Sequence, residues 1–180
     1  MTTTKKLTLI AVLVAQAIVL HLLESFIPIP LPIPGVKLGL ANIITLLALI
    51  LFDFKTALAI AFGRTLLGSL LSGTLFNIGF FLAISGAIFA ALVMYFLLLF
   101  GRLFRATFSF SILGISVAGA IAHNLGQLAI AALLIKNTAI FYYLPVMLVA
   151  SIPTGLFTGW LLKELLKHIE SAGIIDDFSF

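Results

Sequence analysis

Residues 78–100 read IGFFLAISGAIFAALVMYFLLLF, 23 residues without one charged side chain. At about 1.5 Å of rise per residue such a helix reaches about 34 Å, enough to cross the ~30 Å hydrocarbon core of a bilayer. A helix that is apolar on all its faces belongs inside a large core or a membrane. The rest of the chain decides for the membrane. Of 180 residues, 63% are hydrophobic and 9% are charged, where a soluble domain carries roughly a quarter charged residues.

Working outward from that run, further spans are predicted at about Leu7–Phe26, Lys37–Phe52, Thr56–Leu71, Ile112–Ile135 and Ile140–Leu162. With Ile78–Phe100 they make one six-helix transmembrane domain, 1–180, with no room for a separate soluble one. Lys5 and Lys6 ahead of the first run imitate a secretory signal. The run is too long and lacks a small-x-small cleavage site, so it is expected to be retained. Cysteine is absent, which excludes disulfides, thiolate metal sites and thiol nucleophiles.

The cations orient the bundle. Lys5, Lys6, Lys55, Arg102, Arg105, Lys163 and Lys167 fall at one end, and Lys37 and Lys136 at the other. The positive-inside rule then places both termini in the cytoplasm. Because the cations sit where orientation signals sit, the net charge of +4 does not point to nucleic acid.

The connector between the first two spans is unusual. Residues 28–42 read PIPLPIPGVKLGLAN, with proline at every second position from Pro28 to Pro34. Such a run suits neither a strand ladder nor a helix interior and favours polyproline II. Ile29, Leu31 and Ile33 are too apolar for a solvated linker. A stiff, apolar connector on the outer face is expected to act as a lid or cavity wall.

Polar side chains inside spans need a partner or a cavity. Here they are Gln16, His21 and Glu24 in the first span, Asn42 in the second and Arg64 in the third. Asn77 opens the fourth, and His123, Asn124 and Gln127 lie in the fifth. Arg64 is always charged and reads as an anchor for an anionic or carbonyl-bearing ligand, as half of an ion pair with Glu24, or as an arginine snorkelling to the cytoplasmic side. His123 and Gln127 are four apart, and Asn124 and Gln127 three apart, so all three can line one cavity; interhelical hydrogen bonding is the competing reading. Lys37 reads as a ligand contact or as an interfacial lysine. No spacing pairs the three histidines for a metal. No phosphate-binding glycine loop occurs either, so neither metal nor nucleotide cofactor is expected. Ala11 and Ala15 form a small-x-x-x-small pair that permits close helix approach.

Three blocks, PGVKLGLAN at 34–42, GRTLLGSLL at 63–71 and AHNLGQL at 122–128, resemble the bacterial family labelled heptaprenyl diphosphate synthase component I, also called the Gx transporter family. That family is similar to the substrate-binding S components of energy-coupling factor (ECF) transporters, and the resemblance covers nearly the whole chain. It implies an S-component-like bundle in the bacterial cytoplasmic membrane. Such a bundle captures a small solute from outside (vitamin, quinone-precursor or isoprenoid-like) and docks on a coupling transmembrane subunit driven by two ATPases. Ala11 and Ala15 match the A-x-x-x-A docking motif of such components, and the first outer loop resembles their gate. The ligand residues of better-known S components do not map onto this chain. The expected contacts, Arg64, His123, Asn124, Gln127, Asn42, Glu24, Lys37 and Asn77, therefore rest on polarity and depth. The alternative is a non-catalytic membrane subunit of a polyprenyl diphosphate synthase. Catalysis by this chain alone is not expected, because it carries one Asp pair, Asp176-Asp177, where such enzymes use two aspartate-rich motifs to hold magnesium.

Overall fold

The computed structural model describes residues 3–26, 37, 39–104 and 110–171. The prolines of the connector, Arg105 and the tail with Asp176-Asp177 lie outside the described residues, so the expected gate does too. The described chain is all-helical: α1 Thr3–Ser25, α2 Asn42–Leu51, α3 Phe54–Leu71, α4 Ile78–Leu103, α5 Ile112–Ile135 and α6 Leu144–Ser171, with a 3₁₀ turn Thr138–Tyr143 leading into α6. Five of the helices are long and apolar enough to cross a membrane, as befits a multi-pass membrane protein.

The second predicted span differs from expectation. Instead of a crossing helix from Lys37, α2 has ten residues, about 15 Å of rise, half of what a bilayer core requires. The reason lies in Gly39, whose φ of +88° belongs to the left-handed region and cannot continue a right-handed helix. Helix therefore starts only at Asn42. From there every residue through Ile50 is buried, which its apolarity on all sides allows. This half-length helix is the axis around which the bundle packs.

Short polar turns set the alternation of direction. Asp53 caps α3 by accepting from the Thr56 amide at 2.9 Å and its hydroxyl at 3.0 Å. Asn77 caps α4 and Ser111 caps α5 in the same way. Lys6 Nζ lies 3.8 Å from Asp53 Oδ2, so the start of α1 and the α2–α3 turn share one end. The rings of Phe54 and Tyr95, 4.7 Å apart, lay the start of α3 beside the later part of α4.

Apolar packing forms two clusters. One, toward the N-terminal end, gathers α2 with Leu13 of α1, Ile60 of α3, Met94 of α4 and Leu162 of α6. The other, toward the far end, joins Leu82, Leu128, Ala131, Ile140 and Met147. Along α5 the first cluster is represented by Ile115 and the second by Leu128. His123, Asn124 and Gln127 lie between them, so the polar side chains occupy a layer between two apolar cores.

Candidate functional site

The layer begins where helix fails. With Gly39 buried and turned away from helical geometry, the amides ahead of α2 need acceptors from elsewhere in the chain. Glu24, near the end of α1, supplies one. Its Oε1 accepts from the Gly39 amide and, at 2.8 Å, from the Leu40 amide. Gln127 of α5 supplies another. Its Oε1 accepts from the Lys37 amide at 3.2 Å and its Nε2 donates to the Lys37 carbonyl at 3.1 Å. One side-chain amide thus takes both backbone groups of a residue 90 positions away, as a neighbouring strand would.

That pairing decides the tautomer of His123. Since Gln127 Oε1 faces an N–H, its Nε2 must face His123 Nε2, 2.6 Å away. The histidine nitrogen accepts, and the ring proton sits on Nδ1. The ring rests against two glycines: a Cβ on Gly86 would come within 2.8 Å of it and one on Gly39 within 3.1 Å. His21 of α1 sits in the same manner over Gly68 of α3, where a Cβ would come within 2.6 Å. The Lys37 ammonium donates to His21 Nε2 at 2.8 Å and to the His21 carbonyl at 3.2 Å, so His21 is a neutral acceptor. His21, Glu24, Lys37, His123 and Gln127 therefore form one bonded network around the segment that precedes α2.

Arg64 lies in the middle of α3 and is 2% exposed. A charged side chain at the centre of a membrane helix costs about 2.5–3.5 kcal/mol on insertion scales. Its guanidinium donates through Nη2 to Asn42 Oδ1 at 3.1 Å, fastening α3 to the first residue of α2. The alternative read from sequence, an ion pair with Glu24, does not form: no carboxylate among the described residues lies within 4.0 Å of the guanidinium.

Asn124 shares the layer but turns to the other side of α5. Its Nδ2 donates to the Met147 carbonyl at 3.0 Å and to Ser151 Oγ at 2.7 Å, both on α6. Asn77 lies apart, exposed and engaged in capping α4. Ala11 and Ala15 are exposed on the side of α1 that faces away from the bundle, with Gln16 exposed next to them.

Of the residues singled out by sequence, Glu24, Lys37, Asn42, Arg64, His123 and Gln127 converge on the start of α2. Sequence reasoning passed over the glycines that seat the two histidines, Gly39, Gly68 and Gly86, and the Ser151 partner of Asn124. The glycines left one readable sign, since two of them fall inside the blocks PGVKLGLAN and GRTLLGSLL. A family model described as heptaprenyl diphosphate synthase component I matches residues 13–165. No curated protein and no solved structure matches the chain.

Proposed function

The chain belongs to the heptaprenyl diphosphate synthase component I family, and from that premise we propose that it acts as the substrate-binding component of an ECF-type uptake transporter in the bacterial cytoplasmic membrane. The observation that carries the reading is the buried layer at the start of α2, where Arg64, Glu24, Lys37, Asn42, His123 and Gln127 meet around a non-helical segment. Ionisable groups at membrane depth mark solute or ion pathways, and interrupted helices with irregular backbone at the midplane recur in transporter binding sites.

In this reading the Pro-rich connector that begins at Pro28 is on the outer side and acts as the gate. A small organic solute, vitamin-like, quinone-precursor or isoprenoid-like, enters beneath it. The chain itself does no catalysis, and ATP is hydrolysed by two ATPases acting through a coupling transmembrane subunit. The exposed Ala11–Ala15 face of α1 offers that subunit a surface low enough for close helix contact.

Affinity purification of the tagged chain from its native membrane tests the assignment. The expected result is recovery of a coupling subunit and two ATPases, lost when Ala11→Trp and Ala15→Trp are combined. Recovery of none of these partners from the unaltered chain overturns it. A second reading, a membrane subunit that assists a soluble polyprenyl diphosphate synthase, is favoured by the family's description alone. It expects a synthase in the same purification and a fall in prenyl chain elongation when the chain is deleted.

A further inference from the structure

Arg64 and Asn42 together present more donors than the protein accepts. Beyond the single bond from Nη2 to Asn42 Oδ1, Arg64 Nε and Asn42 Nδ2 are buried donors without a partner among the described residues. The side chains that carry them are 2% and 6% exposed. Asn42 is also the first residue of α2, so the positive end of that helix dipole falls at the same place. A buried cation, two unpartnered N–H donors on side chains bonded to each other and a helix N-terminus lie together, and no carboxylate among the described residues lies within 4.0 Å of the guanidinium.

The charge count specifies the kind of anion. The layer holds two cations, Arg64 and Lys37, and one carboxylate, Glu24, whose negative charge is favoured by those two cations and by the two backbone N–H groups from which its Oε1 accepts. His21 and His123 accept hydrogen bonds and are neutral. One positive charge remains. A monoanion balances it, whereas a phosphate dianion or a diphosphate would leave the layer net negative in a medium that penalises unpaired charge. Two open donors on adjoining side chains suit an acceptor with two oxygens.

We infer that Arg64 and Asn42 form a seat for the carboxylate of an organic monoanion, the group by which the solute is held. The solute's transport rests on the function proposed above; the seat itself rests on these two residues.

The test uses the full chain, labelled with ¹⁵N-arginine and reconstituted in lipid nanodiscs near pH 7.5. Benzoate, benzamide, phenyl phosphate and sodium chloride are titrated separately while the Nε–H resonances are followed. Arg64 is one of three arginines, and its signal is the one lost in Arg64→Met. Benzoate is expected to shift that signal saturably in the millimolar range or below. Benzamide and phenyl phosphate are expected to bind at least about ten-fold more weakly. Asn42→Asp, which brings a carboxylate of its own to the guanidinium, is expected to raise the thermal midpoint and abolish the benzoate response. That variant keeps the test open if Arg64→Met does not fold.

No saturable response to benzoate overturns the seat. So does tighter binding of phenyl phosphate, saturation by chloride alone, or an Asn42→Asp chain that still binds benzoate. If benzoate fills the seat while purification recovers no coupling subunit, the transport reading falls and the seat stands. If the partners are recovered and the seat stays empty, the reverse holds.

Discussion

Two polar regions share α5 and behave differently. On the side facing α6, Asn124 gives both its N–H groups to Met147 and Ser151, and the Ser116 and Thr158 hydroxyls meet at 2.8 Å. These groups are neutral, and their donors end on protein. Where tight approach is needed, glycine meets backbone: a Cβ on Gly155 would come within 2.5 Å of Val117 Cα. On the side facing α2 and α4 the layer includes the charged groups Arg64, Lys37 and Glu24, Arg64 keeps an unused donor, and the glycines lie against histidine side chains. The first region is built to hold helices together. The second is built around something that can change, either a segment that shifts or a molecule that arrives.

Four perturbations separate the two. The largest effect is expected from Gly155→Ala, because its added methyl runs into backbone that cannot give way. Overpacking of this kind costs about 1–3 kcal/mol or more. Thermal unfolding in detergent should show the loss, and unchanged affinity for benzoate in the surviving folded fraction would confirm that the α5–α6 seam is structural. Arg64→Met is expected to weaken benzoate by about 100-fold, equivalent to about 2.7 kcal/mol, with helical content by circular dichroism unchanged. If instead it unfolds the chain and leaves benzoate affinity intact where folded, the contrast between the regions collapses.

Gly86→Ala should push the His123 ring rather than the fold, giving roughly a ten-fold loss of affinity and little change in thermal midpoint. An equal effect on both readouts would merge the two regions. Thr158→Val removes one hydroxyl of the Ser116 pair, and interhelical bonds of this type average about 0.6 kcal/mol. A shift in thermal midpoint without a change in benzoate binding is the expected outcome.

A smaller effect lies outside the membrane-spanning segments. The Thr56 amide and hydroxyl hold the Asp53 carboxyl below its ordinary range. A depressed carboxylate stabilises the fold at pH above its unfolded value, and the contribution is lost as pH falls through the lower folded value. The difference in thermal midpoint between the unaltered chain and Asp53→Asn should therefore narrow on acidification below about pH 4. A difference that stays constant would remove Asp53 from the account of how α3 starts.

Much of this contrast could be read in the chain. Arg64 and the His123-Asn124-Gln127 triplet stood out because polar groups inside apolar runs are expensive, so their presence announces a partner. Which partner was not readable. Gln127 pairs with Lys37 across 90 residues of chain, and no local spacing encodes that. Asn124 was expected to line the same cavity as Gln127, yet both its N–H groups go to α6. Asn124 stands about 100° around the helix from His123, far enough to turn it toward α6. Ser116 and Thr158 gave no sign, since a hydroxyl in a membrane helix can always bond the carbonyl a turn behind it, as Thr158 does with Thr154.

Hydropathy also hid the shortness of α2. Residues 37–52 are apolar throughout apart from Lys37, Asn42 and Thr45, and the transfer free energy of the side chains does not depend on whether the backbone is helical. The sequence alone determined that this is a multi-pass membrane protein of its family, because burying apolar side chains in lipid depends on composition and run length. Only the tertiary structure decided that helix begins at Asn42, that Glu24 and Gln127 satisfy the backbone ahead of it, and that Arg64 is left with a donor to spare. Those outcomes depend on hydrogen bonds between groups far apart in the chain, and their geometry exists only once the helices have packed.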